Sequence, residues 1–281
     1  MTGKEGVKSI NWHLTARCNY NCKFCFSQNL DSEIKDLNSA INILKRIKAF
    51  DIKKINFVGG EPLLHPLFSK IIKVTKNMNF VVSIVSNGFY LNKSVIVELA
   101  PFIDWIGLSV DSAYEEIEMA LGRGNGNHVK HITELADIIH EFGIKLKINT
   151  TVTRLNWKED MRPLLRRLKP DRWKVFQVLH ISGQNDQFFD ELSITDEQFD
   201  SFKLINQQIE GIIPVFENNY QMIDSYFMLS PSGMVMSNRE GTNRVLIPLE
   251  RIANLNFSIV MDPEKYLDRG AIYDWNSMLT T

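Results

Sequence analysis

From residue 8 to residue 179 the chain alternates short apolar segments with amphipathic ones. "KSINWHL" predicts a strand, "LNSAINILKRIKAF" a helix with apolar residues at helical spacing, and "KKINFV" a second strand. The unit then repeats: "PLFSKIIKVTKN" with "FVVSIV", "NKSVIVELAP" with "WIGLSV", "NHVKHITELADIIHEFG" with "IKLKINTTV", and "KEDMRPLLRRLK" with "RWKVFQVL". Six strands, each followed by a helix except the last, are what right-handed crossover units give, so the expected fold is α/β with a parallel sheet. The count falls short of a closed (β/α)8 barrel, which predicts an open, partial (β/α)6 barrel; periodicity alone does not separate it from a doubly wound sheet. Beyond Leu179 the rhythm ends: "HISGQNDQFFDELS" reads as a loop, "TDEQFDSFKLINQQI" as a helix, "SYFMLSPSGMVMSN" as a hairpin turning at Pro231–Gly233, and the tail as mostly irregular. This divides the chain into a core over 5–179 and a C-terminal extension over 180–281.

Composition changes this picture little. The 281 residues are 44% hydrophobic and 23% charged with net charge −1, an ordinary globular balance that implies no nucleic-acid partner. The segment "MTGKEGVKSI" has no signal-peptide core, and no apolar run approaches the roughly 18 residues of a membrane span. Sparse cysteine suits a reducing compartment, so the expectation is a cytoplasmic monomer away from membranes.

The cysteines carry the first chemical signal. All three, Cys18, Cys22 and Cys25, fall in "NWHLTARCNYNCKFCFSQ" as a C-x3-C-x2-C run. An odd number with no thiol elsewhere excludes a full disulfide framework. Three thiolates on a wrapping loop suit an iron–sulfur cluster with one iron left for a non-protein ligand; a zinc site completed by His13 is the plainer alternative.

Chemistry in α/β barrels sits at the C-terminal ends of the strands. After the Cys loop at strand one come "GGEP" (Gly59–Pro62), "SNG" (Ser86–Gly88) and "SVDS" (Ser109–Ser112) at the next three strand ends. Each alone is an ordinary turn signal, and the series is the informative observation. The paired glycines suggest close approach of backbone to a ligand, and Arg123 in "GRGNG" has the fork that matches a carboxylate. In "IKLKIN" alternation puts Lys145, Lys147 and Asn149 on one face, and "DRWK" relates Arg172 to Lys174 in the same way. Inward cations on neighbouring strands call for an anion between them, whereas a solvent-facing edge is the bland reading.

The Cys loop, with Phe24 just before its third cysteine, followed by "GGEP", resembles the radical S-adenosylmethionine (SAM) superfamily. Within it, "KINFVGGEPLL", "VSIVSNG", "LSVDSAYEE", "LGRGNGNHV", "KINTTV", "DRWKVFQ", "DSYFML" and "RGAIYDW" resemble, in order, segments of the viperin family, from Ile10 to Trp275 and more loosely beyond Leu179. Lacking the N-terminal amphipathic helix of vertebrate members, the chain is most similar to prokaryotic ones. The resemblance implies a [4Fe–4S] cluster on Cys18, Cys22 and Cys25, and SAM held by its methionine on the unique iron and by Phe24, Gly59, Gly60, Glu61, Asn87, Ser109 and Arg123. Reductive cleavage to a 5′-deoxyadenosyl radical would draw on an external flavodoxin- or ferredoxin-like donor. It further implies conversion of a ribonucleoside triphosphate, CTP in the best-known members, to its 3′-deoxy-3′,4′-didehydro analogue, a terminator of viral RNA synthesis. The substrate contacts carried over are Asn11, Lys54, Lys147, Asn149, Arg172, Lys174 and Arg269, with Tyr226 catalytic. One departure matters: where the family has a lysine-rich loop, this chain reads "SNREGTNR", with Glu240 in place of a cation, which leaves CTP, UTP and GTP all open; in addition, Val58 replaces a serine before the glycines. A peptide-modifying radical SAM maturase is the alternative, although no cysteine follows Cys25 to hold an auxiliary cluster. A non-catalytic, metal-stabilised binding module is the other.

Overall fold

The computed structural model describes residues 7–252, 256–273 and 275, so the expected core boundary at residue 5 and the end of the extension lie outside the described residues. In chain order the elements are β1 (Ser9–Thr15), α1 (Leu37–Ala49), β2 (Lys54–Gly59), α2 (Phe68–Asn77), β3 (Val81–Ser86), α3 (Lys93–Leu99), β4 (Trp105–Ser109), α4 (Glu115–Ala120), α5 (His128–Glu141), β5 (Lys145–Val152), α6 (Arg162–Leu168) and β6 (Arg172–Gln177). There follow α7 (Asp186–Leu192), α8 (Asp196–Asn206), β7 (Pro214–Glu217), α9 (Asn219–Met222), β8 (Met228–Leu229), β9 (Met234–Ser237), β10 (Arg244–Pro248) and α10 (Pro263–Asp268). The sheet runs β10-β9-β8-β1-β2-β3-β4-β5-β6-β7, parallel from β1 to β7, with β1 and β7 unpaired to each other, so the barrel is open.

The two-residue period of each strand sorts its side chains. Ile10, Trp12, Leu14, Ile55, Phe57, Leu146, Ile148, Trp173 and Val175 face outward and are buried in one core with the apolar stripes of the surrounding helices, such as Leu44 and Ile47 of α1 and Leu135 and Ile139 of α5. The alternate positions are polar: Asn11 and His13, Lys54 and Asn56, Lys147 and Asn149, Arg172 and Lys174. A closed barrel fills its interior with branched apolar residues. Here the polar positions of these strands line an open cavity, and the main apolar core lies between the sheet and its helices.

Three readings beyond Leu179 are corrected. A seventh parallel strand, β7, follows β6; its signal was hidden because it has four residues and begins with proline, which loses no ladder bond at the start of an edge strand. The expected loop after Leu179 contains α7, whose Phe188, Phe189 and Leu192 pack with Cys22 and Phe24. The tail is not simply irregular: β10 pairs with β9, and Asp262 caps α10 by accepting from the backbone of Glu264 (2.9 Å) and Lys265 (3.2 Å). The buried Tyr266 of that helix accepts through its hydroxyl from the backbone N–H of Ser9 (2.9 Å), tying the tail beneath β1.

Candidate active site

The loop after β1 carries the three cysteines, and all three border a single cavity of about 310 Å³ that runs down the inward face of the sheet. Backbone contacts set the loop: Gly60 N–H donates to Thr15 O (2.7 Å), Glu61 N–H to Arg17 O (2.7 Å), and Lys23 N–H to Leu121 O (2.9 Å). Gly60 has no room for a side chain, since a Cβ there would lie inside the contact distance of the Arg17 carbonyl. The double glycine therefore admits the chain's own Cys loop, and both glycines also border the cavity, where the sequence suggested the approach of a ligand. The sulfurs accept N–H groups from Tyr20 (3.4 Å, to Cys18) and Ser27 (3.5 Å, to Cys25), and Asn87 Nδ2 lies 3.6 Å from Cys18 Sγ. Donors of this kind tune cluster sulfurs.

Burial pushes the Cys22 thiol up to about 12 and raises that of Cys25, so bare thiolates here need a positive partner. No three His, Cys, Asp or Glu side chains among the described residues converge on one ion, and His13 turns its Nδ1 toward Ser27 Oγ (3.4 Å). Three thiols that border one cavity, with no fourth protein ligand placed beside them among the described residues, fit a multi-iron cluster in which each binds a different iron better than a four-coordinate zinc site.

Of the residues expected at SAM, Phe24, Gly59, Gly60, Asn87, Ser109 and Arg123 border the cavity beside the cysteines. Glu61 does not. It is fully buried, and its carboxylate accepts from Ser86 Oγ (2.9 Å) and from the backbone of Asn87 (2.9 Å) and Leu63 (3.3 Å), joining the loops after β2 and β3. Burial raises its pKa to about 7 despite those donors. Arg123 is also more committed than expected: its Nε donates to Asp111 (2.7 Å), Glu118 lies 3.6 Å away, and its guanidinium sits over Phe24 (5.6 Å). Burial works against the Arg123 charge, and Asp111 and Glu118 help to outweigh it.

The far half of the cavity is cationic. Lys147 on β5 stands level with Arg172 on β6 and Gly107 on β4, and Asn149 with Lys174. Gly107 makes space, since a Cβ there would come 2.8 Å from Lys147 Cε. Lys54 Nζ donates to Tyr273 Oη (2.5 Å), Arg172 stacks on Tyr273 (3.8 Å) and Arg269 stacks on Tyr226 (3.7 Å). Crowded burial drives Lys147 down to about 7 and Lys174 to about 8, and Lys54 well below its ordinary value. Among the described residues Lys147 has no hydrogen-bond or ion-pair partner, and the buried Arg172 Nε and Asn149 Oδ1 have no hydrogen-bond partner. Lys145, on the same face but one turn of the pleat lower, is held by Asp171 (2.7 Å) and stays outside the cavity.

Two residues were missed. Glu217, at the end of β7, is fully buried behind the wall: Lys174 Nζ lies 2.5 Å from its Oε1, Arg269 lies 3.8 Å away, and the Tyr226 hydroxyl donates to it. Burial pushes its carboxylate up, but these cations and donors leave it below the usual range. Burial and Glu217 together raise the Tyr226 phenol well above its ordinary value. Tyr226 thus borders the cavity and is not a core tyrosine. Tyr273, in the tail, closes the bottom. In the departing loop Asn238 and Asn243 border the cavity, while Arg239 is held by Asp224 (2.8 Å) and Arg244 by Glu240 (3.2 Å).

A thiol-lined mouth joined to a basic pocket on an open parallel sheet defines a class. The sequence model of the radical SAM superfamily matches residues 12–168, more than half of the chain, which therefore belongs to that superfamily and shares its [4Fe–4S] cluster and SAM. The fold agrees with that of SuiB from Streptococcus suis, solved with S-adenosylmethionine, at a TM-score of 0.70 and 16% identity, over 94% of this chain and 68% of that one. A protein of a Thermoplasmatales archaeon (strain ISO4-H5) is 37% identical over 98% of both chains, and one of Flammeovirga pacifica is 33% identical over 98% of both; each is named an S-adenosylmethionine-dependent nucleotide dehydratase. Within the superfamily the chain belongs to that viperin-like dehydratase family. Among the described residues no helix is long and apolar enough to cross a membrane.

Proposed function

We propose that this chain dehydrates a ribonucleoside triphosphate, CTP foremost with UTP and GTP as candidates, to its 3′-deoxy-3′,4′-didehydro analogue, a chain terminator serving antiviral defence. The observation that carries the reading is one cavity with three thiols at its mouth and the side chains of Lys54, Lys147, Arg172, Lys174 and Arg269 at its far end. Forming a C3′–C4′ double bond requires the C4′ hydrogen to leave, and that C–H bond is too inert for any carboxylate or imidazole in the cavity. When bound, the cluster and SAM would supply the carbon-radical chemistry strong enough to take it. Cys18, Cys22 and Cys25 would hold the cluster; Phe24, Asn87, Ser109, Arg123 and the backbone at Gly59 and Gly60 would hold SAM.

The cations and Asn149 then anchor the triphosphate, and Asn11 meets the ribose, so that C4′ is turned to the thiol end. Arg172 Nε and Asn149 Oδ1, buried without hydrogen-bond partners among the described residues, suit a polar ligand at that depth. Tyr226 gives a proton to the 3′-hydroxyl as it departs as water and an electron to the radical left on the substrate, and the external donor then reduces the tyrosyl radical; its hydrogen bond to Glu217 and the ammonium of Lys174 at 3.1 Å give the proton a path. In this reading residues 5–179 form the radical SAM core, and 180–281 close the nucleotide end through Tyr226, Arg269 and Tyr273. The protein acts as a cytoplasmic monomer, takes electrons from a flavodoxin- or ferredoxin-like donor, and engages neither membrane nor nucleic acid. With CTP deuterated only at C4′, the label appears in 5′-deoxyadenosine; unlabelled 5′-deoxyadenosine accompanying product would exclude the abstraction site.

A further inference from the structure

Five cations meet at the far end of the cavity: Lys54, Lys147, Arg172, Lys174 and Arg269. The carboxylate that joins them, Glu217, is already bound by Lys174, Arg269 and Tyr226. Four positive charges are left in excess when every lysine is protonated. A nucleoside triphosphate carries about four negative charges near neutral pH, because its terminal phosphate loses a second proton near pH 6 and the other two carry one each.

Most triphosphate sites work differently. They take the magnesium complex and hold the ion with a protein carboxylate or hydroxyl as well as the phosphates. The only carboxylate bordering this cavity among the described residues is Asp111, and it accepts from Arg123 Nε (2.7 Å) and the backbone of Thr151 (2.7 Å). No group of carboxylates, histidines and cysteines among the described residues is placed to hold an ion. A dication lodged among five cations would be repelled by each of them, in a setting where burial weakens solvent screening.

We propose that the pocket takes its nucleoside triphosphate in the magnesium-free form, with the five side chains standing where the metal would otherwise neutralise the phosphates. The inference rests on the nucleotide reading of this site and adds to it the ionic form of the substrate. It has a protonic consequence. Lys147 is ringed by Arg172 and Lys174 from β6, Lys54 from β2, Glu217 from β7, and Arg269 and Tyr273 from the tail, and it titrates near 7 with Lys174 near 8. Near pH 8 a lysine of the first kind is mostly neutral and one of the second about half so. A bound phosphate charges both, and binding then draws more than one proton from solution.

Titration calorimetry on the reconstituted protein with SAM and no reductant tests this, using CTP in EDTA, CTP in excess magnesium, and the exchange-inert chromium(III)–CTP complex. Metal-free CTP is expected to bind best. Magnesium is expected to weaken apparent affinity in proportion to the nucleotide it sequesters, about tenfold when nine-tenths is complexed. Chromium(III)–CTP should not compete. Repeating the titration near pH 8 in buffers of different ionisation enthalpy should reveal net proton uptake, reduced by about one proton in Lys147→Met if that variant retains measurable binding. Binding that tightens with magnesium, or a chromium complex that binds as well as metal-free CTP, overturns the magnesium-free form alone. Failure of all three nucleotide forms to bind overturns it together with the nucleotide reading.

Discussion

Replacing Lys147 by methionine should stabilise the fold while it damages the site. Methionine matches the length of the lysine stem, which lies beside Gly107 where little else fits. In the unfolded chain Lys147 keeps its proton to about pH 10.5, whereas burial among cations lets the folded protein release it near 7. The unfolded state binds more protons between those values, so the stability of the wild-type protein rises with pH across that window. Below pH 7 both states are protonated and the penalty is complete. At about 1.4 kcal/mol per pH unit the interval of 10.5 to about 7 is worth up to about 5 kcal/mol, and about 3–5 kcal/mol after local relaxation. Scanning fluorimetry of Lys147→Met at about pH 6.5 should show a melting temperature higher by about 6 °C or more, from about 2–4 °C per kcal/mol for a chain of this size. The gain should shrink near pH 9.5. Nucleotide affinity should fall by about 1.5–3 kcal/mol, the value of a charge-assisted bond, or roughly tenfold to a hundredfold. No stabilisation at pH 6.5, or the same stabilisation at both pH values, would refute the buried, charge-strained lysine; unchanged affinity would remove it from the phosphate site.

Alanine at Cys18, Cys22 or Cys25 should abolish iron binding and SAM cleavage together, and full iron content in any one variant would contradict the three-thiolate ligand set. Tyr226→Phe should keep forming 5′-deoxyadenosine in the presence of CTP while dehydrated product drops sharply; a wild-type ratio of the two by chromatography would leave the phenol without a role. Gly60→Ala should cost about 3 kcal/mol or more, because the new methyl meets the Arg17 carbonyl, which is backbone and cannot swing aside, and it should lower the iron content; an unchanged melting curve with full iron would show that the Cys loop does not depend on that close approach.

The core was legible because its periodicities are clean: alternation in "IKLKIN" put Lys147 and Asn149 on one face, and the registers of β5 and β6 bear that out. What the pattern lacks is orientation within a loop. Glu61 follows two glycines at a strand end, yet its carboxylate turns inward to the Ser86 and Asn87 donors and caps a turn. Glu217 was hidden for another reason: it ends a short strand that opens with proline, and its importance comes from Lys174, which is distant in sequence and adjacent only once β7 has joined β6. Tyr273 likewise gains meaning from Lys54, which lies 219 positions away. Interactions of that range carry no local signal.

The inverted layering of the sheet bears on how such a protein can change. Because apolar burial sits between the sheet and its helices, residues on the inward face contribute little to the thermodynamic foundation, and some of them, as Lys147 illustrates, weigh against it. Inward substitutions are therefore uncoupled from folding to a degree that a tightly filled interior does not permit. A lineage built on this plan can exchange unpaired interior side chains such as Lys147 without emptying the apolar core, and can lose a ligand-binding function while growing more robust; Lys174 and Arg269, which neutralise the buried Glu217, are the exceptions.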